Sequence, residues 1–203
     1  MNVNDYPKIT IIMRGYTFEQ EIAILEAIKL TGKNIAVEVT MNSENAVDNI
    51  RKLNEMYGDK VLIGAGTVRS VDDIKKVVKA GAKFALGPHF FTKEMFEECR
   101  KSGILSVPAA MTPSEINKMF ALGADIVKIF PAGTVGAKFF KDVQAPMGKM
   151  RLMAVGGVSA NNIKEYFTQE AEYVGIGSNL FSKEDLIDKN IDNLKESILK
   201  LFA

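Results

Sequence analysis

The fold is decided by one segment, Gly123-Ala124-Asp125-Ile126-Val127-Lys128-Ile129-Phe130-Pro131. In it a glycine is followed by a short apolar run that carries a single charged side chain, Lys128. Such a run is typical of a parallel strand that is buried on both faces. The glycine in front of the run is typical of the position just after a helix, where the backbone is left-handed. The segment therefore predicts a helix end followed by a buried strand.

The same arrangement recurs along the chain at intervals of roughly 20–26 residues, the size of one βα unit. The glycines are Gly32, Gly58, Gly81, Gly103, Gly123 and Gly148. Capping signals at Thr17, Ser70, Thr112 and Ser182 predict helix starts. The predicted strands are Ile9–Met13, Ile35–Thr40, Val61–Ala65, Phe84–Leu86, Leu105–Val107, Ile126–Phe130, Arg151–Val155 and Tyr173–Ile176. Eight alternating units predict an α/β fold, a single-domain (β/α)8 TIM barrel over residues 1–203, with a last helix from Glu184 to Leu201.

Composition excludes several classes of protein. The 203 residues carry a net charge of +1, so no long-range field favours nucleic acid or an anionic membrane as a partner. No apolar run approaches the roughly 18 residues of a membrane helix, and the N-terminus lacks the pattern of a signal peptide. The single cysteine, Cys99, cannot form an internal disulfide, and we expect a packed, inert thiol and a cytoplasmic protein.

The single histidine limits the chemistry. His89 alone cannot build a His-rich metal site, and a Ser-His-Asp triad would have to use it without any nucleophile-elbow motif. We expect His89 to be a loop residue that follows a strand. The sequence predicts no metal and no cofactor.

The predicted strand ends carry small and polar residues, and active sites of such barrels lie at these ends. They are Arg14-Gly15, Glu38-Val39-Thr40, Gly64-Ala65-Gly66-Thr67, Gly87-Pro88, Val107-Pro108-Ala109, Lys128-Ile129-Phe130-Pro131, Gly156-Gly157 and Gly175-Ile176-Gly177-Ser178. These strand ends mark the predicted active end of the barrel, and we count Pro88 there among the candidate substrate-binding residues.

Lys128 and Glu38 are the two ionisable residues inside apolar strands. Burial lowers the pKa of a lysine, and a neutral amine is a nucleophile for a ketone. Because both strands are even-numbered, the two side chains share a layer of the barrel interior and can exchange protons. The alternatives are a lysine that extends to solvent and a structural buried ion pair.

Two glycine motifs end the last two strands. Barrels often bind phosphate there with backbone N–H groups, and glycine lets the anion approach the backbone. Gly156, Gly157 and Ser178 are therefore candidate phosphate ligands. The alternative is that the motifs are only tight turns.

Seven motifs in the same order resemble the KDPG/KHG aldolase family, that is, 2-keto-3-deoxy-6-phosphogluconate and 4-hydroxy-2-oxoglutarate aldolases. They are Met13-Arg14-Gly15, Val37-Glu38-Val39-Thr40, Gly64-Ala65-Gly66-Thr67-Val68, Ala80-Gly81-Ala82-Lys83-Phe84, Thr112-Pro113-Ser114-Glu115, Val127-Lys128-Ile129-Phe130-Pro131-Ala132 and Gly156-Gly157-Val158. The resemblance implies a metal-free class I aldolase, usually a homotrimer. It implies that Lys128 forms the Schiff base, that Glu38 is the general acid and base, and that Thr67 contacts the substrate carboxylate. It also assigns Arg14 to the site and Gly156, Gly157 and Ser178 to the phosphate.

Three positions depart from the phosphogluconate pattern. Asn42 stands where an arginine usually holds the pyruvate carboxylate, a role that Arg14 can take instead. Ala154-Val155 replaces Pro-Thr before the double glycine, which resembles the 2-keto-3-deoxy-6-phosphogalactonate branch. Ala109 replaces a usual glycine and fits neither branch. We therefore count Asn42 and Val155 among the substrate-binding residues.

The sequence thus predicts an aldolase that cleaves a phosphorylated 2-keto-3-deoxy sugar acid, of gluconate or galactonate type, to pyruvate and glyceraldehyde 3-phosphate. Three alternatives stay open at this point. They are a 4-hydroxy-2-oxoglutarate aldolase, a sugar-phosphate isomerase or epimerase, and a non-catalytic sugar-phosphate sensor.

Overall fold

The computed structural model describes residues 1–177 and 180–203, and its centre is one sheet of parallel strands. The strands are β1 (Ile9–Met13), β2 (Ala36–Thr40), β3 (Leu62–Gly66), β4 (Phe84–Leu86), β5 (Leu105–Val107), β6 (Ala109–Ala110), β7 (Val127–Ile129), β8 (Leu152–Val155) and β9 (Tyr173–Ile176). Their order in the sheet is β5-β4-β3-β2-β1-β9-β8-β7-β6. The predicted parallel α/β architecture is confirmed.

Helices connect the strands and cover the outer face of the sheet. They are α1 (Phe18–Thr31), α2 (Ala46–Tyr57), α3 (Val71–Lys79), α4 (Lys93–Ser102), α5 (Pro113–Ala121), α6 (Ala132–Val135), α7 (Lys138–Met147), α8 (Ile163–Thr168), α9 (Lys183–Asp188) and α10 (Ile191–Leu199). Short 3-10 turns lie at Val3–Asp5 and Lys200–Phe202. No helix within residues 1–177 or 180–203 is long and apolar enough to cross a membrane.

The barrel closes at β6, a two-residue strand that was not predicted and that follows β5 after Pro108. Pro108 separates β5 from β6, and it has no N–H with which to continue a ladder. β5 pairs with β4, whereas β6 pairs with β7. The amides of Ile126, Lys128 and Phe130 donate to the carbonyls of Ser106, Pro108 and Ala110. The segment from Leu105 to Ala110 therefore acts as one interrupted strand that joins the two ends of the sheet.

The predicted helix starts are confirmed. Thr17 and Thr112 each form a capping box, with Gln20 and Glu115 respectively, and Ser70 and Ser182 accept hydrogen bonds as N-caps. A cap satisfies an amide of the first helical turn that has no partner within the helix.

Two local predictions are wrong. Gly58 has φ −65°, so α2 ends without a left-handed residue, although the other glycines predicted to follow helices have positive φ. The predicted last helix is broken at Lys189, which adopts the left-handed conformation with φ 53° between α9 and α10.

Alternate side chains of the strands point into the barrel, where they form an apolar cluster of their own. Its members are Tyr6, Ile12, Ala36, Phe84, Leu86, Leu105, Val107, Ile126, Met153, Val155 and Tyr173. Tyr6 precedes β1 and seals the end at which the strands begin. Its ring contacts Phe84 and Tyr173 edge-on, and its hydroxyl shares a 2.8 Å hydrogen bond with Thr10. Tyr6 therefore fills the lower end of the lumen, where the strands begin.

The histidine and the cysteine lie as the sequence predicts. His89 is exposed in the bend after β4. Cys99 is 1% exposed on α4, and burial raises the pKa of its thiol to about 12. A thiol with so high a pKa stays protonated and inert at neutral pH.

Candidate active site

Lys128 lies on β7 and points into the lumen. The side chain of Ile126, two residues earlier, belongs to the lumen cluster, and strand side chains alternate. Lys128 is 5% exposed, and its Nζ lies 5.1 Å from the centroid of the Phe130 ring. Burial lowers the pKa of the amine, the Arg14 charge lowers it further, and Glu38 raises it in part. Lys128 does not extend to solvent, so that alternative is excluded.

Glu38 lies on β2 between Ile12 and Gly64 of the neighbouring strands. It is 2% exposed, and its Oε2 has no hydrogen-bond partner among the described residues. Burial raises the pKa of this carboxyl above the usual range, and the charges of Lys128 and Arg14 offset part of that rise. A buried carboxyl with a raised pKa and a free oxygen can hold a proton and exchange it with a bound molecule.

The two groups share the barrel interior without forming an ion pair. Each shifts the pKa of the other, which places them in the same lumen as the strand numbering predicts. The ion pairs between described residues do not include Lys128 with Glu38. The structure therefore contradicts the alternative of a structural salt bridge. An amine and an acid that do not neutralise each other are free to act on a third group.

Gly66, on β3, provides the space for the Glu38 carboxyl. A Cβ atom at this position would lie 1.4 Å from Glu38 Oε1 and 2.1 Å from its Cδ. No side chain other than hydrogen is compatible with the observed position of the carboxyl. Gly66 is therefore a positioning residue for Glu38, a role that the sequence pattern does not reveal.

Replacing Gly66 with alanine is expected to force the Glu38 carboxyl out of its place and to lower kcat at least tenfold, since proton transfer contributes about 10²–10⁴-fold. The measurement is the steady-state turnover of the variant relative to that of the parent protein. In a Glu38→Ala background the same change should cost little more activity, because the carboxyl it displaces is gone. Equal losses in both backgrounds would show that Gly66 acts independently of Glu38.

Arg14 lies at the end of β1, where its exposed side chain is held by the next loop. Its Nη1 donates to Asn42 Oδ1 at 3.4 Å. The amide of Gly15 donates to Ser43 Oγ at 2.8 Å, and that hydroxyl shares a hydrogen bond with Thr40. These hydrogen bonds connect the loops after β1 and β2. Asn42 therefore orients the guanidinium of Arg14 and does not take its place as a binding group.

Thr67 follows β3 in an uncommon backbone conformation. Its φ is 57°, the left-handed region, which a β-branched residue enters only at a cost. Such strain clusters at functional sites, where the surrounding structure holds the residue in place. The conformation therefore marks Thr67 as a candidate functional residue at the end where the barrel interior opens.

A cavity of about 430 Å³ opens above the lumen. Its lining residues are Ile12, Arg14, Tyr16, Phe130, Val155, Gly156, Gly157, Val158, Gly175, Gly177, Phe181, Lys183 and Leu186. Of the predicted site residues, Arg14, Val155, Gly156 and Gly157 line it. Pro88 follows β4 and does not line it, and Thr67 and Asn42 lie at neighbouring strand ends. Ser178 lies outside the described residues.

The double glycine forms a tight wall of this cavity. Gly156 and Gly157 have φ values of 90° and 83°, which favour glycine. The amide of Gly133 donates to Gly156 O at 2.8 Å, and a Cβ on Gly157 would lie 3.1 Å from Gly133 Cα. Both glycines line the cavity, and the ring of Phe130 packs close to Gly156.

Several residues of the cavity lining, among them Phe130, Tyr16 and Lys183, were not among the predicted site residues. Phe130 was quoted in a motif, and its ring, 37% exposed, lies between Lys128 and the cavity. The sequence signal that could have identified Phe130 is its position directly after the strand that carries Lys128. Tyr16 lies in the loop after β1 and Lys183 is the first residue of α9, and no spacing rule in the sequence connects them.

Fold and site together define the class of protein, a parallel α/β-barrel enzyme whose chemistry centres on a buried amine. The chain matches the family described as KDPG and KHG aldolase over residues 5–197. It is 28% identical over 179 residues to the 2-dehydro-3-deoxy-6-phosphogalactonate aldolase of Escherichia coli K12, covering 88% of this chain and 86% of the relative. It is 30% identical over 149 residues to the 2-dehydro-3-deoxy-phosphogluconate aldolase of Treponema pallidum, covering 73% and 70%.

A solved structure supports the same family assignment. The KDPG aldolase of Legionella pneumophila, with pyruvate captured as a covalent carbinolamine intermediate, has a TM-score of 0.86 to this chain at 26% identity. The similarity covers 98% of this chain and 95% of the other. The chain therefore belongs to the KDPG and KHG aldolase family and is a class I aldolase, a carbon–carbon lyase.

Proposed function

We propose that the chain cleaves a 2-keto-3-deoxy-6-phospho sugar acid to pyruvate and glyceraldehyde 3-phosphate through a Schiff base on Lys128. The observation that carries this proposal is the amine of Lys128, which is buried with its pKa lowered beside the ring of Phe130, a residue that lines the cavity. A neutral amine adds to a ketone, whereas an ammonium does not. Membership of an aldolase family supports the same chemistry.

In the proposed mechanism, Lys128 Nζ adds to the C2 ketone, and loss of water gives an iminium. Glu38 takes the proton of the C4 hydroxyl, directly or through a water. The C3–C4 bond then breaks, its electrons move to the iminium, and the aldehyde leaves as glyceraldehyde 3-phosphate. A proton returns from Glu38 to C3 of the enamine, and water hydrolyses the iminium to release pyruvate and the free amine.

We assign the substrate's two anionic ends to different sides of the cavity. Arg14, oriented by Asn42, and the strained Thr67 are proposed to bind the carboxylate. The bare backbone at Gly156 and Gly157 is proposed to receive the phosphate together with Ser178. Pro88 stays a prediction without a cavity contact to support it.

Borohydride trapping with pyruvate tests the proposal. Sodium borohydride reduces an iminium to a stable amine, so mass spectrometry should find one added pyruvate-derived group on Lys128. An isomerase, an epimerase or a phosphate sensor would remain unlabelled. Turnover of 4-hydroxy-2-oxoglutarate with a kcat/KM above that of the phosphorylated acids would favour the other aldolase activity of the family.

The substrate branch is proposed to be the galactonate type or both types. Val155 lines the cavity where a threonine would offer a hydroxyl, and valine has nearly that shape without any hydrogen-bonding group. A site without such a bond discriminates weakly between epimers.

We therefore expect the galactonate-type epimer to be cleaved at least as well as the gluconate-type epimer. The measurement is kcat/KM for the two purified epimers under identical conditions. Val155→Thr is expected to shift the ratio toward the gluconate epimer, and Val158→Thr, on the same cavity wall, serves as the control. A strong preference of the parent protein for the gluconate epimer would remove the branch assignment and leave the aldolase assignment intact.

The proposal extends to a homotrimer in the cytoplasm, as the family resemblance implies. Light scattering after size exclusion should give three times the mass of the chain, and a monomer mass would contradict it.

A further inference from the structure

We infer that Lys183 is an additional binding residue for the terminal phosphate of the substrate. The inference rests on the proposed function for the identity of that substrate. Lys183 is the first residue of α9 and lines the same cavity as Gly156 and Gly157. Phe181 and Leu186, on either side of it in the chain, are buried against the barrel and also line the cavity. They fix the segment that carries the lysine beside the cavity.

The charge of the cavity favours an anion. Arg14 and Lys183 are the two cationic residues in its described lining, and that part of the lining contains no carboxylate. Arg14 is held by Asn42 at the end of β1. Lys183 comes from the segment after β9, which follows the double glycine after β8 in the barrel. The two charges therefore follow two neighbouring strands, β1 and β9, and each can meet one of the two anionic groups of the substrate.

The lysine is also available for a ligand. Its side chain is exposed, and the ion pairs within residues 1–177 and 180–203 do not include it. Its neighbours in the chain, Glu184 and Asp185, lie in the first turn of α9, where Asp185 is engaged by Ser182 and Asn193. An exposed ammonium at a cavity rim attracts a doubly charged phosphate and is screened by salt.

The experiment titrates inorganic phosphate into the purified protein by calorimetry. Lys183→Met is expected to weaken phosphate binding about three- to tenfold, the range for one charge-assisted contact at a partly exposed site. Lys183→Arg keeps the charge and should restore most of the affinity. Lys141→Met removes one exposed lysine from α7, outside the cavity lining, and controls for net charge.

Salt dependence separates a charge contact from a structural role. Raising ionic strength from about 0.01 to 0.15 M shortens the screening length from about 30 to about 8 Å. Phosphate binding by the parent protein should weaken over this range more steeply than binding by Lys183→Met. Lys183→Met should also raise KM for a phosphorylated acid more than for its unphosphorylated form.

Each outcome decides the inference. Equal phosphate affinities of the parent protein and Lys183→Met, no measurable phosphate binding by the parent, or a Lys183→Arg variant as weak as Lys183→Met would overturn it. Pyruvate trapping on the parent protein is a separate readout. If pyruvate is trapped but Lys183→Met binds phosphate as the parent protein does, this inference alone is refuted. If pyruvate is not trapped, the proposed function is refuted, and the phosphate titration still decides the role of Lys183.

Discussion

Replacing Lys128 with methionine is expected to abolish pyruvate trapping and cleavage while leaving the barrel folded. Methionine fills a similar volume without a charge, and the side chain lies among apolar neighbours such as Ile126 and Phe130. The measurement is borohydride labelling and kcat on the variant, with circular dichroism to verify the fold. Lys141→Met is the matched control and should retain full labelling. Turnover near that of the parent protein would eliminate the Schiff-base mechanism.

The pH dependence of Lys128 gives a second readout. Its folded-state pKa is lowered from the ordinary 10.5, so the rate of pyruvate trapping should rise with pH through a midpoint below that value. The unfolded chain then binds more protons than the folded one, and the wild-type protein gains stability as pH rises toward 10.5. Lys128→Met lacks this gain. The stability advantage of Lys128→Met over the wild-type protein should therefore be larger at neutral pH than in alkali.

Replacing Glu38 with glutamine is expected to lower the cleavage rate by about 10²–10⁴-fold, the usual contribution of a general acid and base. Glutamine keeps the shape that Gly66 accommodates but cannot transfer a proton in the same way. Pyruvate trapping should slow less than cleavage, because the Lys128 amine is still present. Glu19→Gln, an exposed change on α1, is the control. An unchanged cleavage rate would exclude Glu38 from the mechanism.

Stability should respond to Glu38 in the opposite direction to Lys128. The folded-state pKa of Glu38 is raised above the ordinary 4.5, so the folded protein binds the proton more tightly than the unfolded chain. That contribution is fully present below 4.5 and is lost as pH rises through the folded-state pKa. Denaturant unfolding at several pH values should show the advantage of Glu38→Gln growing with pH.

The sequence predicted the strands well, because a strand buried on both faces has a distinctive apolar composition. The ends of β1, β4, β5 and β9 coincide with the predicted ones, those of β2, β3, β7 and β8 differ by at most one residue, and β6 was not predicted. The break at Pro108 was not predicted, since its effect depends on which neighbours the two halves of the strand meet. The break at Lys189 was missed because lysine carries no signal for a left-handed residue.

The candidate site was predicted in part for the same physical reason. A charge inside an apolar strand is visible in the sequence, and strand numbering placed Lys128 and Glu38 in one layer. The strained φ of Thr67 and the bond from Arg14 to Asn42 are properties of the folded backbone. The space at Gly66 depends on a side chain from another strand. Such features arise only once distant segments meet.

The sealed lower end of the barrel also determines where a fusion partner or a tag can be joined to the protein. Tyr6 packs beneath the lumen, and Lys8 and Ile9 share a groove with Leu201 and Phe202. The start of β1 and the last turn of the chain therefore share one groove, and domains whose chain ends lie near each other often tolerate fusion. A fusion partner, an affinity tag or a solid support joined at either terminus would leave the mouth open. Truncating the chain beyond Tyr6, by contrast, would open the lower end of the lumen.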